Sequence, residues 1–150
     1  MSITASGLYG LTLEKCFIDT LGESLEAEDS KAYLVNDSYT PDFNAHDFHA
    51  DLTNEISGGN YAADTITATE ITLSGGTLTY DFADVVYDNA GANDVTITNA
   101  MAMVQATTVS GTATDQLVLL LDFVTAASCS NSTFTVQINA SGAFTLDFTP

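Results

Sequence analysis

Apolar and polar residues alternate with a period of two through most of the chain that follows residue 62. This period places successive side chains on opposite faces of an extended backbone, so it predicts half-buried strands separated by turns. We expect about seven or eight short strands. The clearest of them lie at residues 77–82, 95–103, 134–138 and 144–148.

Two of these patterns predict how the strands are arranged. The alternations of residues 134–138 and 144–148 match each other across the turn-forming residues 139–142, which predicts a hairpin. Residues 117–124 are almost continuously apolar, which favours a central strand covered on both faces, although a short buried helix has the same pattern. Together with frequent turns and abundant threonine, the patterns predict a mainly β fold, an antiparallel β-sandwich or a barrel-like domain.

The N-terminal segment departs from the strand pattern. Residues 8–21 place apolar side chains at a helical spacing, and an acidic stretch that predicts a loop follows them. We therefore expect one domain over residues 1–150, with a helical segment and acidic loop in residues 1–30 and the sandwich in residues 31–150. The apolar stripe either covers the chain's own core or packs against a neighbour. Its candidate interface residues are Leu8, Leu11, Phe17, Ile18 and Leu21.

A second departure, residues 38–61, reads SYTPDFNAHDFHADLTNEISGGNY and contains both histidines of the chain. Pro41 fixes its own φ and favours an extended residue before it. Asp42 or Asn44 is suited to cap a short helix near residues 44–52. We expect this 38–61 segment to organise the fold by plugging one end or side of the sandwich. Its fold-organising and possible interface residues are Tyr39, Pro41, Phe43, His46, Phe48, Leu52 and Tyr61.

The 38–61 segment also resembles the head decoration, or cement, proteins of tailed bacteriophages. The shared pattern is SYTPD-x-x-x-HD-x-x-x-D-x-x-NE-[IV]-SG-x-x-Y, which begins at Ser38 and ends at Tyr61. The chain departs from the family at Ala63 and Asp64, where Gly-Gly is common, and the similarity is looser downstream. The resemblance implies a non-enzymatic virion protein, made in the host cytoplasm, that binds the outer surface of the icosahedral capsid. As a homotrimer without a cofactor, it would bridge and stabilise subunits of the major capsid protein.

The charge balance excludes several kinds of partner. The chain carries 20 acidic residues against two lysines, a formal net charge of −18 at pH 7. Such a surface repels phosphate groups, so we expect neither nucleic acid nor an anionic membrane as a partner. No apolar run approaches the roughly 18 residues of a membrane span. The charge suits a positively charged partner or a medium of high ionic strength.

The residues with chemical potential give weaker predictions. His46 and His49 are not accompanied by a nucleophile motif, so we expect no catalytic site. A Ca²⁺ site formed by the carboxylates of Asp42, Asp47 and Asp51 is a less favoured alternative. Cys16 and Cys129 predict two buried or half-buried free thiols, with a single disulfide as the other option.

Two other classes of function remain open at this level. One is a different β-structural virion component, such as a tail, fibre or adhesin module. The other is a β-sandwich that binds Ca²⁺ or a glycan.

Overall fold

The computed structural model of the chain describes residues 3–18, 25, 30–88, 94–107 and 115–149. These residues form ten strands and one α-helix, and every strand pairing is antiparallel. The prediction of a mainly β antiparallel fold is confirmed, with more strands than expected and no closed barrel. The elements are β1 (Gly7–Leu8), α1 (Gly10–Phe17), β2 (Lys31–Asn36), a 3-10 helix (His49–Asp51), β3 (Asp64–Thr65), β4 (Glu70–Ser74), β5 (Thr77–Asp81), β6 (Val85–Tyr87), β7 (Val95–Thr107), β8 (Gln116–Ser132), β9 (Phe134–Val136) and β10 (Phe144–Asp147).

The strands form three sheets. The central sheet has five strands in the order β1-β8-β7-β2-β3, and its long middle strands β7 and β8 pair along most of their length. A three-stranded sheet has the order β10-β5-β4, and β6 pairs with β9 in a two-stranded sheet. The near-continuous apolar run of residues 117–124 lies in β8, inside the central sheet. Residues 117–120 are buried, as the sequence predicts for a strand covered on both faces, whereas residues 121–123 are half-buried and Val124 is 80% exposed.

The central sheet is buried on both faces, so the domain has two cores. Strand alternation sends Ala32 and Leu34 of β2 into the first core, and Tyr33 and Val35 into the second. The first core also contains Tyr80 and its neighbours from the three-stranded and two-stranded sheets. The second core is covered by the N-terminal residues and by the 38–61 segment. The N-terminal residues and this segment together cover one face of the sheet.

The expected hairpin between residues 134–138 and 144–148 does not form. Strand β9 pairs with β6, and β10 pairs with β5 in another sheet. The connection between β9 and β10 is fixed by hydrogen bonds to other parts of the chain. Ala143 N–H donates to the Tyr80 carbonyl at 2.8 Å, and Ile138 N–H donates to Asp84 Oδ1 at 2.8 Å. Alternation identified both strands correctly but not their neighbours, since any half-buried strand offers the same pattern to several partners.

The two expected helices are shorter than predicted. The N-terminal helix is Gly10–Phe17, because Leu8 belongs to β1 and pairs with β8. Leu21 and most of the acidic loop lie outside the described residues. The helix expected near residues 44–52 is reduced to the 3-10 helix His49–Asp51. Among the residues that the structure describes, no helix has the length and apolar character needed to cross a bilayer.

Candidate functional site

The 38–61 segment is fixed to the central sheet near its C-terminal end and in its middle. Asn36 N–H donates to the Asn54 carbonyl at 3.1 Å, and Ile56 N–H donates to the Leu34 carbonyl at 2.8 Å. In the middle, Leu117 N–H donates to the Asp47 carbonyl at 2.9 Å. These backbone bonds reach both β2 and β8, which are separated by β7 in the sheet. The segment is thus a strap laid across the second core.

Tyr39 lies at the start of this strap and is fully buried. Its hydroxyl is 2.8 Å from the Tyr9 hydroxyl and 2.9 Å from Nδ1 of His46. The Asp42 N–H also donates to His46 Nδ1, at 3.3 Å, so this nitrogen is an acceptor. Tyr39 therefore donates to His46 and accepts from Tyr9. The chain of bonds connects the N-terminal segment to the strap through a buried network.

Burial controls the ionisation of this network. The pKa of Tyr9 is raised far above its ordinary value, chiefly by burial and then by its hydrogen bond to Tyr39. Burial also raises the pKa of Tyr39, although the bond from Tyr9 partly offsets it. Both phenols stay neutral at physiological pH, so the network is a structural one.

Phe43 and Gly7 form a close contact under the strap. The Phe43 ring centroid lies 5.2 Å from that of Tyr9. A Cβ atom on Gly7 would lie 2.7 Å from Cζ of Phe43, so the ring fits here because glycine has no side chain. Gly10 N–H donates to the Phe43 carbonyl at 2.8 Å, which places the start of α1 on the strap.

The carboxylates that could have formed a Ca²⁺ site have other partners. Asp42 Oδ1 accepts the N–H groups of Asn44 and Ala45 at 3.0 and 3.1 Å. Asp51 accepts the N–H groups of Asp47 and Phe48, which lowers the pKa of Asp51 below its ordinary value. Within the described part of the chain, no group of three or more metal-ligating side chains is placed to hold an ion.

Lys15 joins α1 to the strap. Its Nζ lies 2.7 and 2.6 Å from the two carboxylate oxygens of Asp47 and 2.6 Å from Oε1 of Gln116. The same ammonium lies 4.5 Å from the centroid of the Phe48 ring. This half-buried ion pair gives the helix a fixed position against the strap and the start of β8.

The remaining predicted residues divide between the two cores and the surface. Leu52 packs against the second core with Phe43, whereas Tyr61 packs against the first core and its hydroxyl accepts the Leu34 N–H at 2.8 Å. Pro41, His46 and Phe48 are half-buried. Tyr39 is fully buried, so a partner protein cannot contact its side chain. The other aromatic residues of the segment are each at least partly buried, as the sequence predicts.

The N-terminal candidates also divide. Leu8 packs against the first core and Leu11 is half-buried, but Phe17 and Ile18 are 77% and 60% exposed. Residues 3–13 thus cover the chain's own core, while the end of α1 presents apolar side chains to solvent. Cys16 is exposed rather than buried, Cys129 is half-buried, and both are free thiols.

Sequence reasoning missed two residues that hold the site together. Tyr9 anchors the tyrosine network, and Lys15 holds the helix against the strap. Tyr9 lies 30 residues from Tyr39 in sequence, so no local period connects them. The one available signal for Lys15 is that it is one of two basic residues in a chain with 20 acids.

Comparison with known proteins identifies no relative, since no protein-family model, no curated protein and no solved structure matches this chain.

Proposed function

We propose that the protein is a non-enzymatic structural component of a virion, which binds the outer surface of a tailed-phage capsid and stabilises it by bridging coat subunits. The major capsid protein is the proposed partner, and the protein acts as a homotrimer. Multivalent attachment would let individually weak contacts hold the shell, because the second contact of a linked assembly is made at high effective concentration.

The observation that carries this proposal is how the residues of the phage-like pattern are used. Four side chains of the pattern form hydrogen bonds with each other or with nearby backbone of the strap: those of Tyr39, Asp42, His46 and Asp51. Side chains occupied in this way supply neither a nucleophile with its base nor an open ligand set. Their role in holding a sheet face closed supports a structural protein, and the resemblance of the same residues to decoration proteins supports the capsid.

The exposed end of α1 is the proposed contact with the coat. Phe17 and Ile18 present apolar surface beside Glu14 on a strongly acidic molecule. A coat surface with an apolar depression and a basic rim would fit both features. Charge attraction of this kind speeds association and is screened over about 8 Å at physiological salt, so binding should weaken as salt is added.

Fractionation of virions tests the proposed location. Particles that contain the protein are separated into heads and tails, and its ratio to the major capsid protein is measured by quantitative mass spectrometry. We expect it in the heads at a fixed ratio to the coat protein. Recovery with tails or fibres, or absence from particles, would refute the capsid proposal in favour of the other classes.

A matched pair of variants tests the proposed contact. Phe17→Ser with Ile18→Ser should lower capsid occupancy about tenfold or more, whereas Val86→Ser, at another exposed apolar position, should leave it unchanged. Removal of residues 1–22 is a poorer test, because it deletes Tyr9 and β1 and so opens the second core. Equal occupancy for both variants, with unchanged melting temperatures, would exclude the end of α1 as the contact.

A further inference from the structure

The three-stranded sheet extends past the core at its hairpin end. Its inner face begins with the in-register triplet Ile71, Tyr80 and Phe144, which packs in or against the first core. One step of two residues further toward the hairpin, the same face carries the triplet Leu73, Leu78 and Leu146, also in register across all three strands. The leucine triplet therefore continues the core face beyond the core.

This continuation is open to solvent. Leu73 is 69% exposed, and Leu78 and Leu146 are half-buried. Phe148, two residues after Leu146, is 63% exposed, and its N–H donates to the Gly76 carbonyl at 2.8 Å. We name these four side chains the leucine face: Leu73, Leu78, Leu146 and Phe148.

The leucine face is also distinguished by its charge. Residues 71–80 contain no acidic or basic residue, in a chain whose net charge is −18. Asp147 alternates to the opposite side of β10, where its carboxylate accepts from Thr149. The other large exposed apolar residues have an acidic residue at a spacing that places it on the same side of the chain: Phe17 and Ile18 lie three and four residues after Glu14 at the end of α1, Val86 lies two residues from Asp84 and Asp88, and Val124 lies two residues after Asp122.

We propose that the leucine face is the surface through which two copies of this chain associate. Like charges oppose contact between two molecules of this kind almost everywhere on their surfaces, and a neutral apolar face is where that repulsion is least. A basic partner would gain no charge attraction from these residues, whereas a second copy buries an identical apolar row. The proposal rests on the charge and register of this sheet and not on capsid binding. It concerns a pairwise contact between free molecules, whereas the proposed homotrimer is the form bound to the capsid.

The size of the face sets the strength of the association. Four side chains are less than the roughly 800 Å² per partner of a standard stable interface. Association should therefore depend on concentration. Added salt should strengthen it by screening the repulsion between the two acidic molecules, which is the opposite of the trend expected for binding to a basic coat.

Sedimentation velocity over a concentration series up to about 1 mM, at low and high salt, tests the proposal. We expect wild-type protein to associate reversibly, Leu73→Asp to raise the dissociation constant about tenfold or more, and Phe148→Ser to do the same. Val124→Ser is the matched control, because Val124 is exposed on the central sheet and should leave the constant unchanged. If Leu73→Asp lowers the melting temperature, Leu73→Ser with unchanged melting replaces it.

Three results would overturn the inference. These are a wild-type protein that stays monomeric over the whole series, association that Val124→Ser weakens as much as the leucine-face variants, and association that weakens as salt is added. A loss of capsid binding without any change in self-association would likewise assign the leucine face to another partner.

Discussion

Removal of the Tyr39 hydroxyl should destabilise the protein more than removal of the neighbouring Tyr9 hydroxyl. Tyr39→Phe deletes one oxygen that serves two bonds, one from Tyr9 at 2.8 Å and one to His46 Nδ1 at 2.9 Å. The Tyr9 hydroxyl is then a buried donor without an acceptor, and burial offers it no water. The aromatic ring and its packing are retained, so the change isolates the polar network.

The magnitude follows from the cost of an unsatisfied buried group, about 1–3 kcal/mol. We expect about 2 kcal/mol for Tyr39→Phe, or a melting temperature lower by about 4–8 °C for a chain of this length. Tyr9→Phe should cost about 1 kcal/mol, because Tyr39 keeps its bond to His46. The double variant should cost less than the sum, by about 1 kcal/mol, since it leaves neither hydroxyl stranded.

Urea unfolding at pH 7, followed by circular dichroism, measures all three free energies. Tyr87→Phe is the matched control, because the buried Tyr87 hydroxyl has no hydrogen-bond partner among the described residues. Its removal should be neutral or stabilising. The reasoning fails if Tyr39→Phe costs no more than Tyr87→Phe, or if the costs of Tyr9→Phe and Tyr39→Phe simply add.

Two further predictions concern the strap. Hydrogen bonds from Asp47 and Phe48 lower the pKa of Asp51, so its stabilising effect is present above the ordinary carboxyl pKa near 4 and is lost as pH falls through the lowered value. Asp51→Asn should therefore lower the free energy of unfolding by up to about 1 kcal/mol at pH 7, a value limited by solvent screening, and this loss should vanish in acid. An equal, pH-independent loss for Asp37→Asn, at an exposed position, would contradict this. Phe48→Ala should cost about 1–3 kcal/mol in the same urea assay, less than a fully buried phenylalanine, because the ring is half-buried under Lys15. A change below about 0.5 kcal/mol, as expected for the exposed Phe17→Ala, would show that Phe48 does not fix the strap.

Strands were predictable from the sequence where one local pattern decides the structure. The Thr77–Asp81 strand follows from the period of two, and the start of the Gln116–Ser132 strand follows from the continuous apolar character of residues 117–124. Irregularities inside the strands could not be predicted from these local patterns. Val124, in β8, has a φ of 65°, which a β-branched residue rarely adopts and which no propensity predicts.

The pairing of strands and the second core were beyond local pattern. Period identifies an inner face but not which element covers it, so β9 and β10 were assigned to each other rather than to β6 and β5. The strap shows the same limit. Its aromatic residues predict burial, but Tyr39 meets Tyr9 only because β1 brings the N-terminus to the edge of the central sheet.

The position of the strap affects what the phage-like pattern can mean for function. Its most characteristic side chains, Tyr39 and Asp51 among them, are occupied in closing the second core, so the pattern is a requirement of the fold before it is a requirement of binding. A partner can contact only what the folded strap leaves exposed. Binding specificity should therefore come from surfaces outside the pattern, such as the end of α1 and the leucine face. Variants of the strap should lose stability first and partner binding only as a consequence, whereas variants of those surfaces should lose association while the melting temperature is unchanged.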